Sequence, residues 1–219
     1  MYHDRHEAGR RLGKQLRELG LRADLVLGVP RGGVPVALEV AEALGAPLDV
    51  VVVRRVVADL GAGTSVTVGA VGESGARVVD EELVRQIGVS GEELAALERI
   101  EELEVAHQVH RFRGDRPRVE LQGRHVVVVD DVVTSGSSVR AACRIVRRLG
   151  AAQVVVAVPV APELWAERIA DDVERVVALE LVPHEPTVGR VYANVGPVGD
   201  DAVVGCLQAA ARATELRSR

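Results

Sequence analysis

The feature that most constrains this chain is a series of unbroken apolar runs, rich in valine, at residues 25–29, 48–53, 126–129 and 154–158, with a fifth at 173–179. A strand with one wet face alternates apolar and polar side chains. A strand covered on both faces reads instead as a continuous β-branched run, the pattern of a parallel sheet enclosed by helices. Helical patterns lie between the runs, at residues 34–44, 137–149 and 162–170, closed by breaks such as Gly45 and Gly150. The alternation predicts an α/β fold with a doubly wound, mostly parallel sheet flanked by helices. At 219 residues the chain fits a single domain spanning 1–219, with its core at about residues 21–180.

Composition narrows the function classes. Hydrophobic residues make up 47% of the chain but aromatics only 2%: Trp165, Phe112, Tyr2 and Tyr192. That argues against an RNA binder built on aromatic stacking. The net charge of -5 supplies no basic field for a polyanion, so generic nucleic-acid binding is not expected. The two cysteines, Cys143 and Cys206, sit in apolar patterns and make no disulfide scaffold, which fits a reducing cytoplasm. The first twenty residues hold no apolar leader and no run reaches the length of a membrane span, so a cytoplasmic protein away from membranes is expected.

Three stretches break the rhythm. Residues 54–75 are rich in Gly, Ala, Ser and Thr, with an alternating piece at Val66, Val68 and Ala70, and read as a long mobile excursion containing a hairpin strand. Residues 80–112 read as helical, with the capping box Ser90-Gly-Glu-Glu93 ahead of Leu94, Leu97, Ile100 and Leu103. Residues 181–219 carry Pro183, Pro186, Gly189, Gly196, Pro197 and Gly199 and read as an irregular appendage to the sheet.

The chemistry concentrates at His125-Val-Val-Val-Val-Asp130-Asp131-Val-Val-Thr134-Ser135-Gly136-Ser137-Ser138. An apolar strand carries two adjacent carboxylates to its C-terminal end, where ligands bind in parallel sheets, and a hydroxyl-rich turn then opens onto a helix. The N–H groups and hydroxyls of Thr134, Ser135, Gly136, Ser137 and Ser138 suit a phosphate monoester. Asp130 and Asp131 suit the two hydroxyls of a ribose, or a metal bridging them. A Walker A loop would need a Lys after Gly136, and a dinucleotide fingerprint would need Gly-x-Gly-x-x-Gly; neither is present.

Four aliphatics, Asp-Asp, two aliphatics and Thr-Ser-Gly-Ser-Ser resemble, at every position, the binding motif for 5-phosphoribosyl 1-pyrophosphate (PRPP) of type I phosphoribosyltransferases. Leu27-Gly-Val-Pro-Arg-Gly-Gly-Val-Pro-Val-Ala37 resembles the pyrophosphate loop of the same family. With Asp4-Arg-His-Glu-Ala-Gly9 and Val156-Ala-Val-Pro-Val-Ala161, the likeness covers most of the chain and points to a little-characterised bacterial branch of predicted phosphoribosyltransferases. Pro30, Arg31, Gly32, Gly33 and Arg54 are then the expected pyrophosphate-binding residues. Gly32 and Gly33 let amides approach a polyanion, and Arg31 can fork onto its oxygens. Family members often carry a cis peptide in this loop.

The resemblance implies a pentosyltransferase of nucleotide metabolism in which an acceptor displaces pyrophosphate from C1 of PRPP. Asp130, Asp131, Arg31 and Arg55 are the catalytic candidates. Mg2+ is the expected cofactor, carried on PRPP and held in part by Asp130 and Asp131. Residues 54–75 stand where the family has its flexible lid, with Arg54 and Arg55 at its base facing the leaving group. Residues 181–219 stand where it builds an acceptor hood, with Tyr192 placed to stack on an acceptor ring. Two departures stand out. Thr134 replaces the Asp with which purine-salvage relatives accept a proton, and Arg55 with the following Val-Ala-Asp-Leu-Gly-Ala-Gly-Thr replaces the branch's Lys and Asn-Pro-Glu element. The expected partners are PRPP, a small nucleobase, amine or hydroxyl acceptor, and a second copy of the chain as a homodimer.

Other clusters carry less. Glu104, His107 and His110 share a helix face but lack the second Glu-x-x-His pair of a carboxylate-bridged metal site. Two basic groups, the stripe Arg140/Arg144/Arg147/Arg148 and the loop Arg111/Arg113/Arg116/Arg118, read first as solvated surface; they also motivate an alternative, a catalytically weak PRPP-sensing regulator that binds RNA or DNA.

Overall fold

The computed structural model describes residues 1–61 and 63–217. Position 62 of the lid range and positions 218–219 of the hood range lie outside them. Helix α1 (Arg5–Glu18) starts at Asp4, whose carboxylate accepts the Glu7 N–H at 2.8 Å. The chain continues through β1 (Leu25–Gly28), α2 (Gly33–Leu44), β2 (Leu48–Val50), β3 (Val53–Gly61), β4 (Thr64–Gly72), β5 (Arg77–Val79), α3 (Glu81–Ile87) and α4 (Gly91–Arg113). It closes with β6 (His125–Val129), α5 (Ser137–Arg148), β7 (Gln153–Pro162), α6 (Trp165–Arg168), β8 (Arg175–Val182), α7 (Val188–Val191) and α8 (Asp200–Arg217).

The five-stranded sheet has the order β2-β1-β6-β7-β8 and is parallel throughout. Burial on both faces explains the unbroken valine runs. Val126 and Val128 of β6 pack with Val139, Ala142 and Val146 of α5, whereas Val127 and Val129 pack with Leu12, Leu16, Val36 and Val40 of α1 and α2. Each fully buried valine contributes about 1.5–3 kcal/mol relative to exposure. The connection leaving β1 runs through α2 to β2 on one side, and the connection leaving β6 runs through α5 to β7 on the other. That reversal opens a crevice at the C-terminal ends of β1 and β6, bordered by the loops that follow them.

The structure corrects four expectations. Residues 48–53 are not one strand: parallel pairing stops at Val50, and the chain turns into an antiparallel hairpin at Val53. The excursion at 54–75 carries most of that hairpin, two nine-residue strands joined by β5 into a second sheet, which packs through Val56, Ala58, Val68 and Val71 into a core shared with α4 and α8. The helix expected at 162–170 shrinks to α6 because β7 runs on to Pro162. The tail is no irregular appendage, since it ends in the eighteen-residue α8, which buries Val203, Cys206, Leu207 and Ala210 at helical spacing against the same core. The helical stretch 80–112 divides into α3 and α4, and the capping box forms, with Ser90 and Glu93 exchanging backbone and side-chain bonds.

The base of the hairpin is bolted by charge. Arg113, at the end of α4, donates to Asp49 of β2 at 2.7 Å, to both carboxylate oxygens of Glu73 just past β4, and to the Val50 carbonyl at 2.8 Å. Burial opposes the guanidinium charge, but Glu73 and Asp49 outweigh it and hold the Arg113 pKa above its ordinary value. Among the described residues no helix is long and apolar enough to cross a membrane.

Candidate active site

Strand β6 ends in the crevice and delivers the acid pair there. Asp130 is partly buried and Asp131 fully so. Asp130 accepts the Asp131 N–H at 2.8 Å. Burial, and then the negative charge of Asp131, push the Asp130 carboxyl well above the usual carboxylate range. The loop after β1 lies directly on this pair. A Cβ added to Gly32 would stand 2.3 Å from an Asp131 carboxylate oxygen, and one on Gly33 would stand 2.6 Å from the Val129 carbonyl. No other residue fits there. The Pro30–Arg31 peptide is cis, as the resemblance implies.

The loop after β6 turns into α5 at Gly136, which sits at φ +75. A Cβ here would lie 1.8 Å from the Trp165 indole nitrogen, so packing and backbone conformation both require glycine. The N-cap Gly136 has no side chain to cap α5, the Ser135 hydroxyl accepts the Ser137 N–H at a long 3.5 Å, and the helix start lies at the crevice end of the sheet. Ser135 and Ser137 hydroxyls lie 3.0 Å apart, and Thr134, Ser135 and Ser138 are exposed. A helix start with a glycine N-cap, lined by hydroxyls, is an anion-binding arrangement.

The expected cations surround this region, each already engaged. Arg55 donates to the Ser137 hydroxyl at 2.9 Å, so it touches the hydroxyl-rich loop rather than the Gly32 loop. Arg54 pairs with Glu101 of α4 at 2.7 Å, and Arg31 with Asp200 of α8 at 2.5 Å. Asp200 also holds Arg111. Pro30, Arg31, Arg54, Arg55 and Ser138 line a cavity of ≈ 360 Å³ between the two loops and the hairpin.

The Tyr192 expectation fails. Its ring is fully buried, its hydroxyl donates to the Asp131 carbonyl at 2.7 Å, the Arg5 guanidinium lies over its face at 5.2 Å, and Tyr2 stands 6.2 Å away. The ring therefore has no open face for an acceptor and packs as core. Burial raises its hydroxyl pKa. Sequence reasoning also missed Arg5, which donates to Asp131 at 2.8 Å across 126 residues of chain; its only signal was its place in Asp4-Arg-His-Glu-Ala-Gly9.

The two basic groups are largely consumed internally. Arg140 and Arg144 both pair with Asp172, Arg147 pairs with Glu174, Arg113 is buried on Glu73 and Asp49, and Arg111 is held by Asp200. Burial disfavours charge on Asp172, but the bonds from Arg140 and Arg144 prevail and lower its pKa. The described residues include no group of three or more His, Cys, Asp or Glu placed to hold a metal, so Glu104, His107 and His110 form no such site.

The sequence model of the phosphoribosyl transferase domain matches residues 1–185. The chain belongs to the phosphoribosyl transferase family. Over 212 residues the chain is 41% identical to the Mycobacterium tuberculosis protein named putative phosphoribosyl transferase Rv0571c, matching 97% of the chain but 47% of that protein. The chain thus spans about half the length of that relative. The crystal structure of TT1426 from Thermus thermophilus superposes with a TM-score of 0.84 at 40% identity, covering 94% of this chain and 97% of that one. An amidophosphoribosyltransferase of Mycobacterium bovis is 28% identical over 161 residues, 74% of this chain and 23% of that protein.

Proposed function

We propose that this protein moves the 5-phosphoribosyl group of PRPP to a small nitrogen or oxygen nucleophile in a Mg2+-dependent reaction. The observation that carries the reading is the convergence of two loops, one hydroxyl-rich at a helix start and one glycine-rich, on a single carboxylate pair. The loop at 134–138 takes the 5-phosphate, Asp130 and Asp131 accept the ribose hydroxyls, and the Pro30 to Gly33 loop with Arg31 and Arg54 takes the pyrophosphate. In the transfer, the bond from C1 to the pyrophosphate oxygen breaks and its electron pair leaves with pyrophosphate. The bond from C1 to the acceptor forms, and the acceptor's proton passes to water. Thr134 carries no carboxylate to receive that proton, which favours acceptors that react without a protein base at this position.

The donor set fits magnesium only with the substrate's help. Asp130 and Asp131 are hard oxygen donors, but no third acidic or His ligand joins them among the described residues, and Mg2+ typically takes one or two carboxylates plus substrate phosphates. Bound in that way, the ion supplies charge neutralisation to the leaving pyrophosphate. The protein's own groups orient the ribose and keep water out.

Isothermal titration with PRPP and Mg2+ tests the reading. Saturable binding that is lost in Asp130→Asn/Asp131→Asn supports it, and unchanged binding in the double variant overturns it. Pyrophosphate release across a panel of bases, amines and sugars then identifies the acceptor.

A further inference from the structure

The second carboxylate of the pair is not held by the strand that carries it alone. Arg5, at the first turn of α1, reaches across 126 residues to donate Nε–H to Asp131 Oδ2 at 2.8 Å, and a second guanidinium N–H bonds the Gly196 carbonyl at 3.1 Å. Both charged side chains are nearly out of solvent, 12% exposed for Arg5 and 10% for Asp131. The guanidinium lies 5.2 Å from the centre of the Tyr192 ring, and Tyr192 in turn donates to the Asp131 backbone carbonyl at 2.7 Å. On its other side the carboxylate of Asp131 is packed against Gly32 so closely that a Cβ there would collide with it. Asp131 is thereby fixed at both side chain and backbone, with one oxygen committed to Arg5.

Asp130 is in a different position. Among the described residues its hydrogen bonds are local, to the backbone N–H and the side chain of Asp131, and it faces Gly33. Two adjacent acids that look equivalent in sequence therefore have unequal freedom. A guanidinium held by two acceptors and an aromatic face has little remaining motion, so the carboxylate it grips has little either.

We propose that Arg5 is a positioning residue for the ribose site. It fixes the Asp131 carboxylate against the Gly32 loop and ties the start of α1 and the tail near Gly196 to the acid pair. The inference rests on the reading of Asp130 and Asp131 as ribose acceptors. Arg5 itself touches no ligand in this scheme and acts through Asp131. Lys at position 5 would keep the charge but has one nitrogen where Arg5 uses two, Nε to Asp131 and Nη1 to Gly196, so geometry and charge are separable by substitution.

The test uses the full chain with three probes: Mg2+ with PRPP, Mg2+ with pyrophosphate, and ribose 5-phosphate. Arg5→Gln should weaken PRPP and ribose 5-phosphate about 10–100-fold, the usual effect of removing a group that orients a ligating side chain, while pyrophosphate binds as in the parent. Arg5→Lys should recover part of the ribose 5-phosphate affinity, and Arg5→Gln combined with Asp131→Asn should be little worse than Asp131→Asn alone. Ribose 5-phosphate binding that is unchanged in Arg5→Gln overturns the proposal. A parallel loss of all three ligands together with melting temperature also overturns it, because Arg5 would then be a structural residue. If Arg5→Gln does not fold, full ribose 5-phosphate affinity in Arg5→Lys refutes the geometric argument on its own. Failure of the parent protein to bind PRPP or ribose 5-phosphate refutes the ribose reading itself, an outcome distinct from those.

Discussion

Replacing Arg113 with methionine should cost this protein a large share of its stability, although Arg113 lies in a stretch that reads as a basic surface loop. Its side chain is 3% exposed and donates to Asp49, both oxygens of Glu73 and the Val50 carbonyl. Asp49 and Glu73 are themselves 7% and 9% exposed as side chains. Methionine preserves most of the volume and removes the charge, leaving two buried carboxylates facing each other with no cation between them. Breaking a buried pair in this way costs about 3–5 kcal/mol. For a domain of this size each kcal/mol moves the melting temperature by about 2–4 °C, so a fall of roughly 6–20 °C follows. Urea and thermal unfolding give both numbers. Arg113→Met combined with Glu73→Leu should recover part of the loss, because the second change removes a stranded charge. A change below about 1 kcal/mol in the single variant would refute the reasoning, since it would mean that water or relaxation satisfies the two acids. The functional consequence is mechanical. The bolt joins the edge strand β2, the end of β4 and the end of α4, so Arg54 and Arg55 start from a fixed base even if the hairpin tip moves.

Two further outcomes follow from the site. Gly136→Ala forces a Cβ to 1.8 Å from the Trp165 indole nitrogen at φ +75, so affinity for ribose 5-phosphate should fall at least about tenfold; the chain's single tryptophan gives a fluorescence change on the same substitution, and unaltered binding would contradict the packing. Asp130→Asn should raise the melting temperature at pH 8 and lose that gain near pH 4. The folded-state pKa of Asp130 is raised, so its contribution to stability is complete below the unfolded value of about 3.9 and is lost as pH rises through the folded one. A gain that persists at pH 4 would show that ionisation is not its cause.

What was legible in the sequence was contiguous. The valine runs are readable because burial on both faces leaves a one-dimensional mark, and Asp130 through Ser138 are readable because the strand tip, acids and turn are adjacent in the chain. Pairings were not legible, because their partners lie far apart: 64 residues from Arg113 to Asp49, 40 to Glu73 and 126 from Arg5 to Asp131. Arg113, read from its basic stretch as surface, is therefore a core residue. Helix α8 was hidden by the Pro and Gly residues that precede it, which said irregular for the whole segment, and by a buried face of small side chains. Tyr192 misled for a related reason. Scarcity of rings made it look available, when scarcity is also what puts a ring into the core.

The ion pairs around the crevice also separate by strength, and that division assigns their roles. Arg31 is 52% exposed in its pair with Asp200, and Arg54 is 41% exposed in its pair with Glu101. Their acid partners are less exposed, 14% for Asp200 and 21% for Glu101, but Asp200 keeps Arg111 when Arg31 leaves, so on the proposed reading Arg31 is the arginine a polyphosphate would take at the smaller cost. The Arg5 pair is a different object: both members are nearly buried, and opening it strands a charge. On the proposed reading, the same chemistry, arginine on carboxylate, would serve as an exchangeable contact at the pyrophosphate and as a fixed one at the ribose. The -5 excess of acid, which in the sequence only argued against a polyanion-binding surface, is in the fold partly what keeps those arginines placed before any ligand arrives.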